Sequence, residues 1–146
     1  MKVKQLSLFL ENKPGALSRP VKLLAKTKLN ILTLSIADTQ QFGILRFVVR
    51  NWRKAKQVLE QAGFVVKVSD MVAIEVADEP GGLAKILMKL EKTRVNLEYM
   101  YGFTLKLEGK GVLAFRFDDP DRAIAALQEK GINPVRPVEL FKRLEG

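Results

Sequence analysis

The chain has 146 residues, 47% hydrophobic and 28% charged, a globular composition that suits one ordinary domain or two small ones. It holds neither cysteine nor histidine, which excludes a disulfide framework, redox chemistry at sulfur, Ser-His and Cys-His nucleophile pairs, the usual zinc ligand sets and a histidine pH switch. The net charge of +9 is uneven: residues 1–69 carry 13 Lys/Arg against 3 Asp/Glu, and residues 70–146 carry 12 against 13.

No apolar run approaches the roughly 18 residues needed to span a bilayer. Met1-Lys2-Val3-Lys4 leads straight into a strand pattern, so no signal peptide is read and a cytoplasmic protein is expected. Leu6, Leu8 and Leu10 alternate with Gln5, Ser7 and Phe9, the period of a strand with one buried face. The turn Glu11-Asn12-Lys13-Pro14-Gly15-Ala16-Leu17 comes next. Pro14 suits a first helical position, and Leu17, Val21 and Leu24 recur at helical spacing. Pro20 lies inside this helix pattern and predicts a bend near Ala16. Asn30 opens the next strand, and Thr39-Gln40-Gln41 is a polar turn. Leu45, Phe47 and Val49 mark a third strand, Trp52 to Ala62 a second helix stopped by Gly63, and Phe64 to Val68 a short fourth strand. The order is β-α-β-β-α-β, the ferredoxin-like unit.

The second half repeats the first. Ala77-Asp78-Glu79-Pro80-Gly81-Gly82-Leu83 restates the first turn 66 positions later. Val72, Ile74 and Val76 match Leu6, Leu8 and Leu10, and Val95-Asn96-Leu97 matches Leu29-Asn30-Ile31. The hairpin at Gly109-Lys110-Gly111 is two residues longer, so the offset becomes 68. Leu113, Phe115 and Phe117 then match Leu45, Phe47 and Val49, and Gly131 matches Gly63. Residues 132–135 are expected as the last strand, with a short C-terminal tail beyond. The fold class is therefore α+β, with two tandem ferredoxin-like units at residues 1–69 and 70–146, antiparallel sheets, and Ser69-Asp70 as a minimal linker. Open edge strands predict a sheet continuous across the halves and a homodimer.

The repeated turn carries the candidate chemistry. A helix N-terminus offers unpaired N–H groups and partial positive charge, and Gly15 or Gly81 lets a ligand approach the backbone. That suits a carboxylate; a phosphate loop would want more glycines and a Lys-Ser/Thr pair. Asn12 and Asp78 add acceptor oxygens just upstream, so an α-amino acid fits, with its carboxylate on the backbone and its ammonium on the Asn or Asp. An ordinary helix start is the competing reading. Asn30 and Asn96, each eighteen residues further on, add to the binding reading. Tyr99 and Tyr101 share one strand face and could line a pocket or simply pack. Asp118, Asp119 and Asp121 read as a helix cap with Pro120 rather than a cation site. Arg50, Arg53, Lys54 and Lys56 read as a solvated helix face.

With β-α-β-β-α-β order, Asn-x-Pro-Gly-x-Leu after the first strand and Asn-Ile at the second, the chain resembles ACT domains, small regulatory modules that bind amino acids. The resemblance covers nearly the whole chain as two copies. It looks nearest to stand-alone ACT pairs on Phe42-Gly43-Ile44-Leu45-Arg46 and Glu98-Tyr99-Met100-Tyr101. The first half, from Glu11 to Arg19, is also similar to acetolactate synthase regulatory subunits. The turn reading and the resemblance together give expected ligand contacts at Asn12, Lys13, Pro14, Gly15, Ala16, Leu17, Asn30 and Ile31. In the second half they give Asp78, Glu79, Pro80, Gly81, Gly82, Leu83, Asn96, Leu97, Tyr99 and Tyr101. In serine-sensing members the two Asn positions hold the ligand from opposite sides of a domain interface. Here Asp78 replaces the first Asn in the second half, and Pro20 replaces an apolar residue.

The first reading is thus a non-catalytic amino-acid-binding regulatory protein with no catalytic residues, metal or cofactor, its ligand between the first turn and the neighbouring unit near Asn96. The second is a regulatory subunit that docks on an amino-acid biosynthetic enzyme such as acetolactate synthase. The third is a nucleic-acid-binding protein of ferredoxin-like fold; mostly aliphatic central strands count against it.

Overall fold

The computed structural model describes residues 1–145, with the side chains of all but Thr39, Leu105, Lys106 and Leu107. It divides into two compact units, Lys4–Ser69 and Met1–Val3 with Asp70–Gly146. Each is built on an antiparallel sheet. In the first unit the strands are β1 (Lys2–Glu11), β2 (Ile31–Thr39) and β3 (Phe42–Val49), with helices α1 (Ser18–Lys26) and α2 (Trp52–Gln61). In the second they are β4 (Val66–Ala77), β5 (Leu97–Leu107) and β6 (Lys110–Phe117), with α3 (Gly82–Leu90), α4 (Pro120–Glu129) and α5 (Pro137–Glu145). The order is β2-β3-β1 in one and β4-β6-β5 in the other. Strand β4 runs unbroken through Ser69 and Asp70, so the expected two-residue linker is itself strand.

The repeat is reproduced in register. Leu6 pairs with Phe47 and Leu8 with Leu45, while Val72 pairs with Phe115 and Ile74 with Leu113. One face of each sheet packs on its helices. Leu6, Leu8, Leu24, Phe47, Ala55 and Leu59 form the first core, and Val72, Ile74, Leu90, Phe115, Ala123 and Leu127 the second. Full burial of such aliphatic and aromatic side chains stabilises by about 1.5–3 kcal/mol each, which makes this face the main determinant of each unit.

The backbone exceptions repeat as well. Left-handed residues fall at Gly15 and Gly81, Lys28 and Arg94, Gln40 and Glu108, and Gly63 and Gly131, at offsets of 66, 66, 68 and 68. The caps obey the same rule: Asn51 accepts from the Lys54 N–H at 3.2 Å and Asp119 from the Arg122 N–H at 3.1 Å. The Asp118 carboxylate accepts from the backbone of Asn96 and Asp119, and Asp121 pairs with Lys2 at 3.1 Å. The aspartates thus serve a cap and its surroundings. Arg53 stacks on Trp52 and Lys56 pairs with Glu60 on the exposed side of α2.

Three expectations are corrected. Pro14 is not at a helical N1 position: residues 14–17 form a turn around left-handed Gly15, and α1 begins only at Ser18. Pro20 therefore sits in the first turn of α1, where its missing N–H would have no intrahelical partner, and there is no bend at Ala16. Residues 132–135 do not form a strand. The Val135 N–H donates to the Ala73 carbonyl at 2.8 Å, one backbone bond where a ladder was expected, with Pro137 close behind to limit further pairing. Beyond it the chain turns into α5, a helix started by Pro137 and anchored by fully buried Leu140 and by Arg143, which bonds Glu75 and Glu139.

Candidate functional site

Each turn leaves its strand in the same way. The Asn12 N–H donates to the Gln41 carbonyl at 2.9 Å, and the Asp78 N–H to the Gly109 carbonyl at 2.8 Å, so the adjacent hairpin holds each turn. The Ala16 N–H donates to Lys13 at 3.3 Å and the Gly82 N–H to Glu79 at 3.0 Å. At φ +83° and +86°, Gly15 and Gly81 adopt a conformation other side chains rarely take, and a Cβ built on either meets nothing within 4 Å. The turns are thus open at the glycine, as close approach by a ligand requires.

Each turn borders a cleft of about 430 Å3. The first is lined by Phe9, Leu10, Glu11, Lys13, Pro14, Gly15, Ala16, Arg19 and Phe64. The second is lined by Val76, Ala77, Asp78, Glu79, Pro80, Leu83, Gly111 and Leu113. Most of these sequence-selected turn residues therefore gather around a concavity. Charge separates the two clefts. Glu11 and Lys13 pair at 2.8 Å in the first, and the hydrogen bond from Lys13, reinforced by its charge, holds the Glu11 carboxyl below its ordinary range. The second presents Asp78 and Glu79, with Lys85 reaching Glu79 at 3.9 Å.

Asn12 is not among the residues lining the first cleft; its amide nitrogen donates to the Gln40 carbonyl at 3.1 Å. This bond orients the amide and leaves its oxygen as an acceptor. Asp78 has no amide hydrogen to make the same bond. Asn30 and Ile31 are not near this turn within their own unit. Thr39 pairs with Phe42 and Glu11 with Phe42, whereas Ile31 pairs with Val49 at the other end of the sheet. At about 3.3 Å per residue the two ends lie roughly 25 Å apart. Asn96 and Leu97 stand likewise at the Phe117 end, remote from Asp78 beside Gly109. Tyr99 pairs with Arg116 and Tyr101 with Ala114, on the face of β6 that carries Val112, and neither lines the second cleft.

Five lining residues were not selected from the sequence, Phe9, Leu10, Glu11, Arg19 and Phe64, and the last two interact directly. Arg19 donates to the Ala62 carbonyl at 3.0 Å, and its guanidinium lies over the Phe64 ring, 4.8 Å from the centroid. An arginine one turn after Pro-Gly was a usable signal; Phe64, 45 residues further on, was not.

Two tandem ferredoxin-like units, each with a Pro-Gly turn at its first strand-to-helix junction, make this an α+β protein of duplicated fold. Residues 1–143 match the ACT domain pair family, and the chain belongs to it. It is 34% identical over 96 residues to the acetolactate synthase small subunit of Buchnera aphidicola subsp. Baizongia pistaciae, a match over 64% of this chain and 60% of that protein's length. Among solved structures it is similar to protein BT0572 from Bacteroides thetaiotaomicron, at 38% identity and TM-score 0.89 over 97% of both chains. The regulatory subunit of aspartate kinase from Thermus thermophilus shares the fold at TM-score 0.63 and 16% identity, over 86% of this chain and 91% of that one. In the described residues no helix is long and apolar enough to cross a membrane, and no group of acidic side chains could hold a metal ion.

Proposed function

We propose that this protein is a non-catalytic regulator that binds a free amino acid at the first turn, Asn12 to Leu17. The observation that carries the proposal is the Asn12 amide, oriented by Gln40 at the start of a glycine-opened turn. Its oxygen accepts from the ligand ammonium. The N–H groups of Gly15, Ala16 and Leu17 receive the carboxylate, the Ala16 N–H being shared with its long bond to Lys13. The separation of Asn12 from Asn30 within one sheet means that a second ACT unit must supply the opposing Asn, Asn96 or Asn30. A homodimer in which another copy closes the pocket meets that need. The second turn ranks below the first, because Asp78 stands where the first turn has the Asn12 amide and brings a carboxylate near the ligand's own. Ligand occupancy is then read out by a biosynthetic enzyme on which the protein docks; similarity to an acetolactate synthase small subunit supports this step.

The test is a thermal-shift screen of the twenty amino acids, then calorimetric titration of the best one. Asn12→Ala should weaken binding ten- to a hundredfold, since it removes one charge-assisted bond. Gly15→Asp should abolish binding at this turn by placing an anion, in strained backbone, where the carboxylate sits. Unchanged affinity in both folded variants would overturn the proposal.

A further inference from the structure

We propose that Arg19 is a ligand-binding residue of the first cleft, and that this cleft selects an amino acid with an acidic side chain. The inference rests on the turn reading above and adds the ligand class. Glu11 and Lys13 neutralise each other at 2.8 Å, so Arg19 leaves the lining of the first cleft with one positive charge. No carboxylate lies within ion-pair distance of Arg19 among the described residues. Its guanidinium is nevertheless fixed, by the bond to the Ala62 carbonyl and by stacking on Phe64. Stacking leaves the guanidinium edge for in-plane donation, and a carboxylate matches that edge with two parallel bonds. An exposed arginine without such anchors would lose more side-chain entropy on binding; this one is already ordered.

The repeat supplies an internal control. At the equivalent position the second unit has Lys85, which is drawn toward Glu79 at 3.9 Å. Ile132 stands where Phe64 stands, so no ring is available for stacking. Among the described residues, the second cleft is lined by the carboxylates of Asp78 and Glu79, with Lys85 paired to Glu79 from outside the lining. The two clefts have equal volume but differently charged linings, Arg19 in the first and Asp78 with Glu79 in the second, so one ligand does not suit both. The first fits a zwitterion carrying one extra carboxylate, with the α-amino acid group on the turn and the side-chain carboxylate on Arg19.

The experiment is calorimetric titration of L-aspartate, L-glutamate, L-asparagine and L-glutamine into the wild-type protein, Arg19→Gln and Arg19→Lys. One acidic ligand should bind wild type at least tenfold more tightly than its amide. Arg19→Gln should bring it down to the affinity of the amide and leave the amide unchanged. Arg19→Lys should keep part of the preference, since charge remains while the planar edge and the stacking are lost. Equal affinity for acid and amide, with both dependent on Asn12, overturns this inference and leaves the turn reading standing. Equal weakening of acid and amide in Arg19→Gln also overturns it, by making Arg19 structural. Absence of binding by every amino acid sinks the turn reading itself, and this inference with it.

Discussion

Pro20 in the first unit and Ile86 in the second occupy the same position of the repeat, and both side chains are buried. Only Ile86 has an N–H to give to the preceding turn. Helix α3 therefore begins at Gly82, whereas α1 begins two repeat positions later, at Ser18. One missing hydrogen changes the shape of one turn and leaves the core positions alone.

The early start of α3 brings Gly82 hard against the strand before it. A Cβ on Gly82 would run into the Ala77 carbonyl oxygen. The equivalent residue in the first turn is already alanine, Ala16. Gly82→Ala should cost about 1–3 kcal/mol through forced backbone shifts. Urea denaturation of the variant checks it, and a midpoint equal to wild type would show that the turn relaxes freely.

Helix α5 should prove part of the second unit's core rather than an appended tail. Leu140 is fully excluded from solvent and Arg143 bridges Glu75 and Glu139. Leu140→Ala should lower stability by about 2–5 kcal/mol, and hydrogen exchange should show lost protection in α5. Loss of protection with unchanged global stability would mean instead that α5 opens on its own.

The Glu11–Lys13 pair gives a pH signature at the first cleft. The folded-state carboxyl is held below its ordinary value, chiefly by the Lys13 hydrogen bond. Its contribution to stability is therefore present above the unfolded value and lost as pH falls through the folded one. Both side chains are well exposed, so the effect is small and screened by salt. Carboxyl-carbon NMR titration should give Glu11 a midpoint that rises towards the ordinary range in Lys13→Gln. A midpoint unmoved by that substitution would mean that Lys13 is not the cause.

The sequence by itself determined the duplication, its offsets of 66 and 68, both cores and the Asp cap before Pro120. Those features rest on periodicity and on residues a few positions apart, whose physics is local: alternation for strands, 3.6-fold spacing for helices, an Asn or Asp at a helix start. It also placed the two Pro-Gly turns, since a left-handed residue there calls for glycine. Tertiary structure decided what depended on distant partners. Arg19 becomes a fixed cation only because Phe64 and Ala62 lie beside it. Asn12 acquires its orientation from Gln40. Asn12 and Asn30, eighteen residues apart in sequence, stand at opposite ends of one sheet because an intervening helix and an antiparallel register carry them there. The final helix α5 was hidden for the same reason: Pro137 announced a start, but the Arg143 bond that anchors the helix goes to Glu75, on a strand more than sixty residues earlier.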